Sequence, residues 1–393
     1  MQQNTVRLTL GGILLVMAAC APQSPPTPTL PPPTSTVLSP TAIPLPPTAT
    51  SFPTTPVPTA ISPDVITSID TMLKNLADKG LLNASVLIGQ RGKVLLSKGY
   101  GLADREKKTP NTAQTRFRLG SITKQFTAMA ILMLEMQGKL KVQDPICKYI
   151  ADCPSTWQAI TIHHLLTHTS GIPDFTALRD YQSSRATPSS PEQTIARFKD
   201  LPLDFQPGGK WSYSNSGYIV LGFIIEKVSG QTYEDFLQQA IFTPLNLRDT
   251  GYDHNANGLA VGYKDQYSTL PADYIDMSIP YAAGALYSTI GDLYAWENAL
   301  STEQLTSQAY LDEMFAPQAP MPDSGGWAYG YGWAIGTDLN RAVVSHGGNI
   351  EGFASIVMRY LDEQVVIIVL SNQENKDVGL IENIIAKKLF GIQ

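Results

Sequence analysis

The stretch Phe126-Thr127-Ala128-Met129-Ala130-Ile131-Leu132-Met133-Leu134 carries no charge and, wound as a helix, is apolar on every side. Such a helix cannot lie on a surface; other elements must surround it. The chain is therefore expected to build a large core around one central helix, with Gly138 as its stop. Just before it stands Arg118-Leu119-Gly120-Ser121-Ile122-Thr123-Lys124-Gln125. The spacing of Ser121 and Lys124 puts both side chains on one helix face. A serine hydroxyl becomes nucleophilic when a neighbouring base takes its proton, and a desolvated lysine amine can be that base. Gly120 lets a substrate approach the Ser121 N–H. Ser121 is expected to open the helix, where unpaired N–H groups and the dipole favour negative charge. No other S-x-x-K occurs in the chain. Taken by itself, the commoner meaning of that pattern is an N-cap serine followed by a surface lysine.

Two further segments offer partners. Gly208-Gly209-Lys210-Trp211-Ser212-Tyr213-Ser214-Asn215-Ser216-Gly217 holds the sole Y-x-N. A phenol ordinarily titrates at about 10. Beside a lysine cation its anion is favoured, so Tyr213 is expected to accept the Ser121 proton and pass it to a leaving group. Asn215 would bind a substrate amide or carbonyl and orient Lys124. The alternative for Tyr213 is a core aromatic with a satisfied hydroxyl. In Val343-Val344-Ser345-His346-Gly347-Gly348-Asn349 a strand is expected to end at His-Gly-Gly and bring bare backbone to a cleft. The Asn349 N–H could then pair with that of Ser121 as an oxyanion hole. The alternative is a strand-ending turn with a surface histidine. No G-x-S-x-G occurs, which excludes the nucleophile elbow of an α/β-hydrolase.

The remaining chain divides by composition. In residues 1–20 Arg7 is the sole charge, and Leu8 to Ala19 is apolar but too short to span a bilayer, as in an export signal. Its end, Leu15-Val16-Met17-Ala18-Ala19-Cys20, resembles the bacterial lipoprotein cleavage box, in which the cysteine is lipidated. That implies an extracytoplasmic protein held to the membrane by a lipid on Cys20. The alternative is an ordinary cleaved signal that happens to contain a cysteine. Residues 21–63 are Pro, Thr and Ser with little else, and no charge falls between Arg7 and Asp64. Such a stretch cannot bury a core and suits a tether. The folded domain is expected over 64–393. A helix over Val65–Lys79 precedes a hairpin of Ala84–Gly89 and Lys93–Tyr100 turned at Gln90-Arg91-Gly92. Helical patterns fill about 175 to 300, including Tyr218–Val228 and Tyr233–Ile241. Strand-like runs follow at Trp327–Gly336, Ala342–Ser345, Phe353–Tyr360 and Gln364–Ser371, then a closing helix at Val378–Phe390. Strands at both ends predict an α+β domain with one antiparallel sheet built from both ends and a mostly helical second lobe.

Cys147 and Cys153 remain as a local disulfide, with free buried thiols as the alternative. His164 and His168 have the i, i+4 spacing of a zinc pair. H-E-x-x-H is absent and no carboxylate completes a site, so a short structural helix closed at Gly171 is expected, with no metal and no cofactor. With 28 Lys and Arg against 34 Asp and Glu, a net charge of -6 and no basic run, nothing attracts nucleic acid.

Phe117-Arg118-Leu119-Gly120-Ser121-Ile122-Thr123-Lys124, Tyr213-Ser214-Asn215 and His346-Gly347-Gly348 occur in the order and rough spacing of the penicillin-binding-protein-like serine hydrolases. The chain resembles this class C β-lactamase family, with its D-Ala-D-Ala carboxypeptidases, D-aminopeptidases and esterases, from about residue 65 to the end. Leu165–Pro173 and Gly284–Asp292 also look like family segments. The resemblance implies an acyl-enzyme on Ser121, with Lys124 and Tyr213 as the proton-transfer pair. The substrate would be a small molecule or peptide, with peptidoglycan fragments among the options. A non-catalytic cell-wall peptide binder of the same fold is the alternative. His346 stands where the family's β-lactamases and carboxypeptidases usually carry the lysine of K-T-G, a fixed cation for a substrate carboxylate. An imidazole is mostly neutral at pH 7. Esters or peptides are therefore expected before penicillins.

Overall fold

The computed structural model describes residues 60–392 apart from 255, 257 and 375. The segment read as an export signal, Cys20 and nearly all of the Pro/Thr/Ser stretch lie outside the described residues. Helix α1 (Pro63–Asp78) starts slightly earlier than its periodicity predicts. The Ser62 side chain caps the Asp64 N–H, and Pro63 supplies a first-turn φ already suited to a helix. Strands β1 (Ala84–Gln90) and β2 (Lys93–Tyr100) form the expected hairpin. Its two turn residues, Arg91 and Gly92, have φ of 53° and 73°, the twist that a two-residue hairpin needs.

The central helix α2 (Thr123–Met136) buries every residue from Thr123 to Leu134. It is followed by α3 (Ile162–Leu166), α4 (Asn215–Ser229), α5 (Tyr281–Gly284) and α6 (Ile290–Ala299). The strands β3 (Ala319–Pro320), β4 (Ala328–Tyr329), β5 (Ala334–Asp338), β6 (Arg341–Ile350), β7 (Phe353–Tyr360) and β8 (Val365–Ser371) come next, and α7 (Val378–Leu389) closes the chain. One eight-stranded antiparallel sheet runs β2-β1-β8-β7-β6-β5-β4-β3. The first strand thus pairs with the last, Ala84 opposite Ser371, as two-ended sheet building requires.

Strand β8 shows why the sheet is a middle layer. Val365, Ile367 and Val369 pack with Ile69 and Leu73 of α1 and Ile381 and Ile385 of α7. The alternate residues Val366, Ile368 and Leu370 join the cluster containing Phe126 of α2 and Trp296 of α6. Period-two alternation sends neighbours to opposite faces, and both faces are covered, so the strand reads as an unbroken apolar run.

Three local expectations change. Ser121 does not open the α-helix: it sits in a 3₁₀ turn, Gly120–Ile122, that runs into α2. Gly120 has φ 54°, and a Cβ there would stand 2.8 Å from the Asn349 nitrogen. The strand expected to end at His346-Gly347-Gly348 continues through them to Ile350, paired with β7 throughout. Gly348 is needed there because a Cβ would collide with the Leu119 carbonyl. The expected strand Trp327–Gly336 is broken at Gly332, φ 78°, where the backbone presses on the Lys124 carbonyl.

Candidate active site

Lys124 has no exposed surface. Its Nζ is within hydrogen-bond distance of three oxygens: Ser121 Oγ at 3.0 Å, Asn215 Oδ1 at 2.8 Å and the Ala283 carbonyl at 2.8 Å. As an ammonium it donates to all three. Burial pulls its pKa down to about 7, although the Asp174 carboxylate pushes the other way. Once neutral, the amine has a lone pair, and of its three partners only the Ser121 hydroxyl has a hydrogen to give. The neutral lysine is thereby aimed at the serine proton.

Tyr213 differs from the expectation. Burial drives its hydroxyl above the ordinary value, and the opposing contact with the Ser121 hydroxyl does not offset this. The phenol stays protonated at neutral pH, because the low-dielectric surroundings that neutralise Lys124 also disfavour a phenolate. Lys124 Nζ sits 4.9 Å from the Tyr213 ring centroid, and His168 stacks on that ring at 4.2 Å. His168 is not on a helix with His164: α3 stops at Leu166, and His168 has φ 59°. Its Nδ1 accepts the Ser214 N–H at 3.2 Å, while His164 Nδ1 accepts the Thr161 N–H at 3.2 Å. The two imidazoles share no ligand position.

Asn215 begins α4, and Asp174 holds it. One Asp174 oxygen accepts the Asn215 N–H at 3.2 Å and the other accepts Nδ2 at 3.2 Å. With its amide nitrogen engaged, Asn215 turns Oδ1 to Lys124. Sequence reasoning missed Asp174 and the Ala283 carbonyl. Asp174 precedes a short 3₁₀ turn and reads as an ordinary cap, and a backbone carbonyl has no sequence signal.

Asn349 lies beside the Ser121 turn. A Cβ at Gly348 would stand 3.0 Å from the Ser121 nitrogen, which brings the two backbones into one corner. The Asn349 side chain turns away, with Nδ2 toward the carbonyls of Glu374 at 2.9 Å and Phe353 at 3.0 Å. The corner opens on a cleft of about 810 Å³, counting the solvent space at its mouth, lined among others by Ser121, Asn215, Asn349, Glu351 and Glu374. Gly347 is exposed.

His346 is buried behind this cleft and does not line it. Nδ1 lies 2.6 Å from the Gly347 carbonyl, which only accepts, so Nδ1 carries the hydrogen. Nε2 then accepts the Tyr329 hydroxyl at 2.8 Å. Burial and the nearby Lys124 cation lower its pKa to about 4. A cationic imidazole facing a substrate carboxylate at mildly acidic pH is therefore not what the geometry offers. Among the described residues no Lys or Arg lines the cleft; Arg185 beside it is engaged by Glu351 and Asp273. Cys147 and Cys153 are disulfide-bonded, well away from these groups in sequence.

The Beta-lactamase family profile matches residues 69–390. A penicillin-binding protein of Bacillus subtilis (strain 168) is 30% identical over 325 residues, covering 78% of this chain and 71% of its own. The solved octameric penicillin-binding protein homologue from Pyrococcus abyssi superposes with a TM-score of 0.75 at 28% identity, over 84% of this chain and 78% of that one. The D-amino acid amidase from Ochrobactrum anthropi SV3, solved with D-phenylalanine, gives 0.70 at 26% identity, over 84% and 99%.

Proposed function

Because the chain belongs to the Beta-lactamase family, we propose that it is a serine hydrolase acting through an acyl-enzyme on Ser121, with Lys124 as the base. The observation that carries this is the lone pair of a buried lysine, which has one partner able to give it a proton. Ser121 Oγ loses its proton to Nζ and attacks the substrate carbonyl carbon. The developing oxyanion is received by the N–H groups of Ser121 and Asn349. Tyr213, still protonated, gives its proton to the leaving amine or alcohol, and the Lys124 ammonium returns the proton it took from Ser121 to the resulting phenolate. Water then repeats the sequence on the ester and frees the acid. Asn215 and Asp174 keep the amine in line. Gly347 and Gly348 let the substrate lie against bare strand, and His346 supports that strand from behind.

The substrate we favour is an amide or ester of an amino acid with a free amine. Glu374 lines the cleft, its Oε2 accepting just the Gly352 N–H at 3.2 Å, and among the described residues no cation pairs with it. An ammonium suits that position and a carboxylate does not. The D-amino acid amidase likeness supports the D series. We further propose that Cys20 carries a lipid, that residues 21–63 tether the domain outside the cytoplasm, and that cell-wall peptides are its source of D-residues. The test compares D-phenylalanine amide, its N-acetyl form, p-nitrophenyl acetate and nitrocefin on the wild type and Ser121→Ala. Turnover of the free amine ahead of the acetylated amide, abolished in Ser121→Ala, is expected. Activity that survives Ser121→Ala would sink the mechanism; stoichiometric acylation without turnover would favour a cell-wall peptide binder.

A further inference from the structure

Behind the Ser121 cleft, across α5, lies a second cavity of about 880 Å³, counting the solvent space at its mouth. Ala283 and Gly284 line the first, whereas Tyr281 lines the second. The walls of the second bear the rings of Tyr233, Tyr252 and Tyr281 and the carboxylates of Glu226, Glu234 and Asp276. Among the described residues no Lys or Arg lines it. The Tyr252 and Tyr281 centroids are 6.4 Å apart with planes at 60°, and Tyr233 is 5.1 Å from Tyr281. Together the three rings make an aromatic corner.

Its donors are committed elsewhere. The Tyr252 hydroxyl donates to the Met277 carbonyl at 2.9 Å, and that of Tyr281 to Glu226 at 2.7 Å. The Tyr233 hydroxyl pairs with Thr127 at 2.7 Å, and the Ser278 hydroxyl donates to Asp276 at 2.6 Å. His254 at the mouth has Nε2 2.7 Å from Glu234 Oε2. The His254 ring covers one face of Tyr252, with centroids 4.7 Å apart and planes at 33°; what remains for a ligand is the uncovered ring faces and carboxylate lone pairs, all of them electron-rich. Asp276 stays ionised: burial opposes this, but hydrogen bonds from Ser278 hold its carboxyl below the usual range. Burial, then Glu226, pushes the Tyr281 hydroxyl well above its ordinary value, so the ring stays a neutral phenol.

We propose that this cavity binds an organic ammonium ion, separate from the Ser121 cleft, seated on the Tyr252 and Tyr281 faces and balanced by Glu226, Glu234 and Asp276. A cation over aromatic faces is attracted by the ring quadrupole, more so where water is thinned, and the carboxylates add direct attraction. A neutral molecule of the same shape keeps the buried area and loses both.

Choline and its neutral isostere 3,3-dimethylbutan-1-ol decide the matter by calorimetric titration of the full chain. Choline is expected to bind this cavity at least about tenfold more tightly than the isostere. Tyr252→Leu and Glu234→Gln should each weaken it by about threefold or more, whereas Glu374→Gln, in the other cleft, should leave it unchanged. Glu234→Gln is a near-isosteric change at a partly exposed position, so the test holds even if Tyr252→Leu fails to fold. Equal affinity for the isostere would overturn the proposal, as would undetectable choline binding. Binding lost in Glu374→Gln but kept in Tyr252→Leu would place the cation at Ser121 and equally overturn it.

Discussion

The acylation step should titrate with Lys124, with a midpoint at about pH 7. A lysine at its ordinary pKa of about 10.4 is neutral in roughly one molecule in 2,500 at pH 7. Pulled down to about 7 by burial, Lys124 is neutral in about half. The displacement corresponds to about 5 kcal/mol of bias against the ammonium. The sign follows directly: below the midpoint the amine is protonated, has no lone pair, and cannot take the Ser121 proton. Acylation should therefore fall tenfold per pH unit on the acid side, to about one hundredth of its plateau near pH 5. The assay is the stopped-flow burst of p-nitrophenolate from p-nitrophenyl acetate, or quenched labelling by a fluorophosphonate, between about pH 5 and 9. Asp174→Asn supplies the internal control. The Asp174 carboxylate raises the Lys124 pKa, so its loss should move the midpoint to lower pH. The plateau should fall as well, because Asn215 loses one of the two acceptor oxygens that hold it. A burst rate flat across this range, or a midpoint near 10, would refute the buried-base argument.

Lys124→Ala and Tyr213→Phe should each cost about a hundredfold or more in turnover, and the double variant little more than either, because one proton path serves both; additive losses would argue for separate roles. Any preference for carboxylate-bearing cephalosporins over esters should stay level down to about pH 5, since His346 ionises only at about 4; a rise centred near 6.5 would contradict the buried imidazole. The mature protein should fractionate with membranes and lose that attachment in Cys20→Ser; unchanged membrane association would remove the lipid anchor.

The elements that follow from local periodicity were legible. The apolar run after Lys124 demands a buried helix, and α2 buries twelve consecutive residues, Thr123 to Leu134. The two-ended sheet follows from strand patterns at both chain ends. The serine and lysine fall together because their spacing is local. What could not be read depends on distant approach. Gly348 looks like the end of a strand, yet its role is to let β6 pass the Leu119 carbonyl, a neighbour set by tertiary packing. Asp174 meets Asn215 across 41 residues. The protonation of Tyr213 is hidden from the sequence for the same reason: the lysine beside it is visible there, whereas the depth of burial is not.

Burial acts on Lys124, Tyr213 and His346 in the direction that removes charge from each, lowering the two bases and raising the phenol. At neutral pH Tyr213 and His346 are then uncharged before substrate arrives, and Lys124 is uncharged in about half of the molecules. In the proposed mechanism, proton transfer from Ser121 to Lys124 creates a lysinium at the moment the carbonyl oxygen becomes negative. Two opposite charges thus appear together in a dry site, where their attraction is far stronger than in water. A site already holding a permanent cation, as K-T-G enzymes do, adds a fixed attraction for a carboxylate. Here the side chain at the cleft that has no cationic partner, among the described residues, is the Glu374 carboxylate, of the opposite sign. A carboxylate-bearing β-lactam would bring its anion toward that glutamate, with no Lys or Arg lining the cleft, among the described residues, to receive it. A free ammonium gains where the carboxylate loses, so the two substrate classes should separate by electrostatics before any difference in ring strain or leaving group is counted.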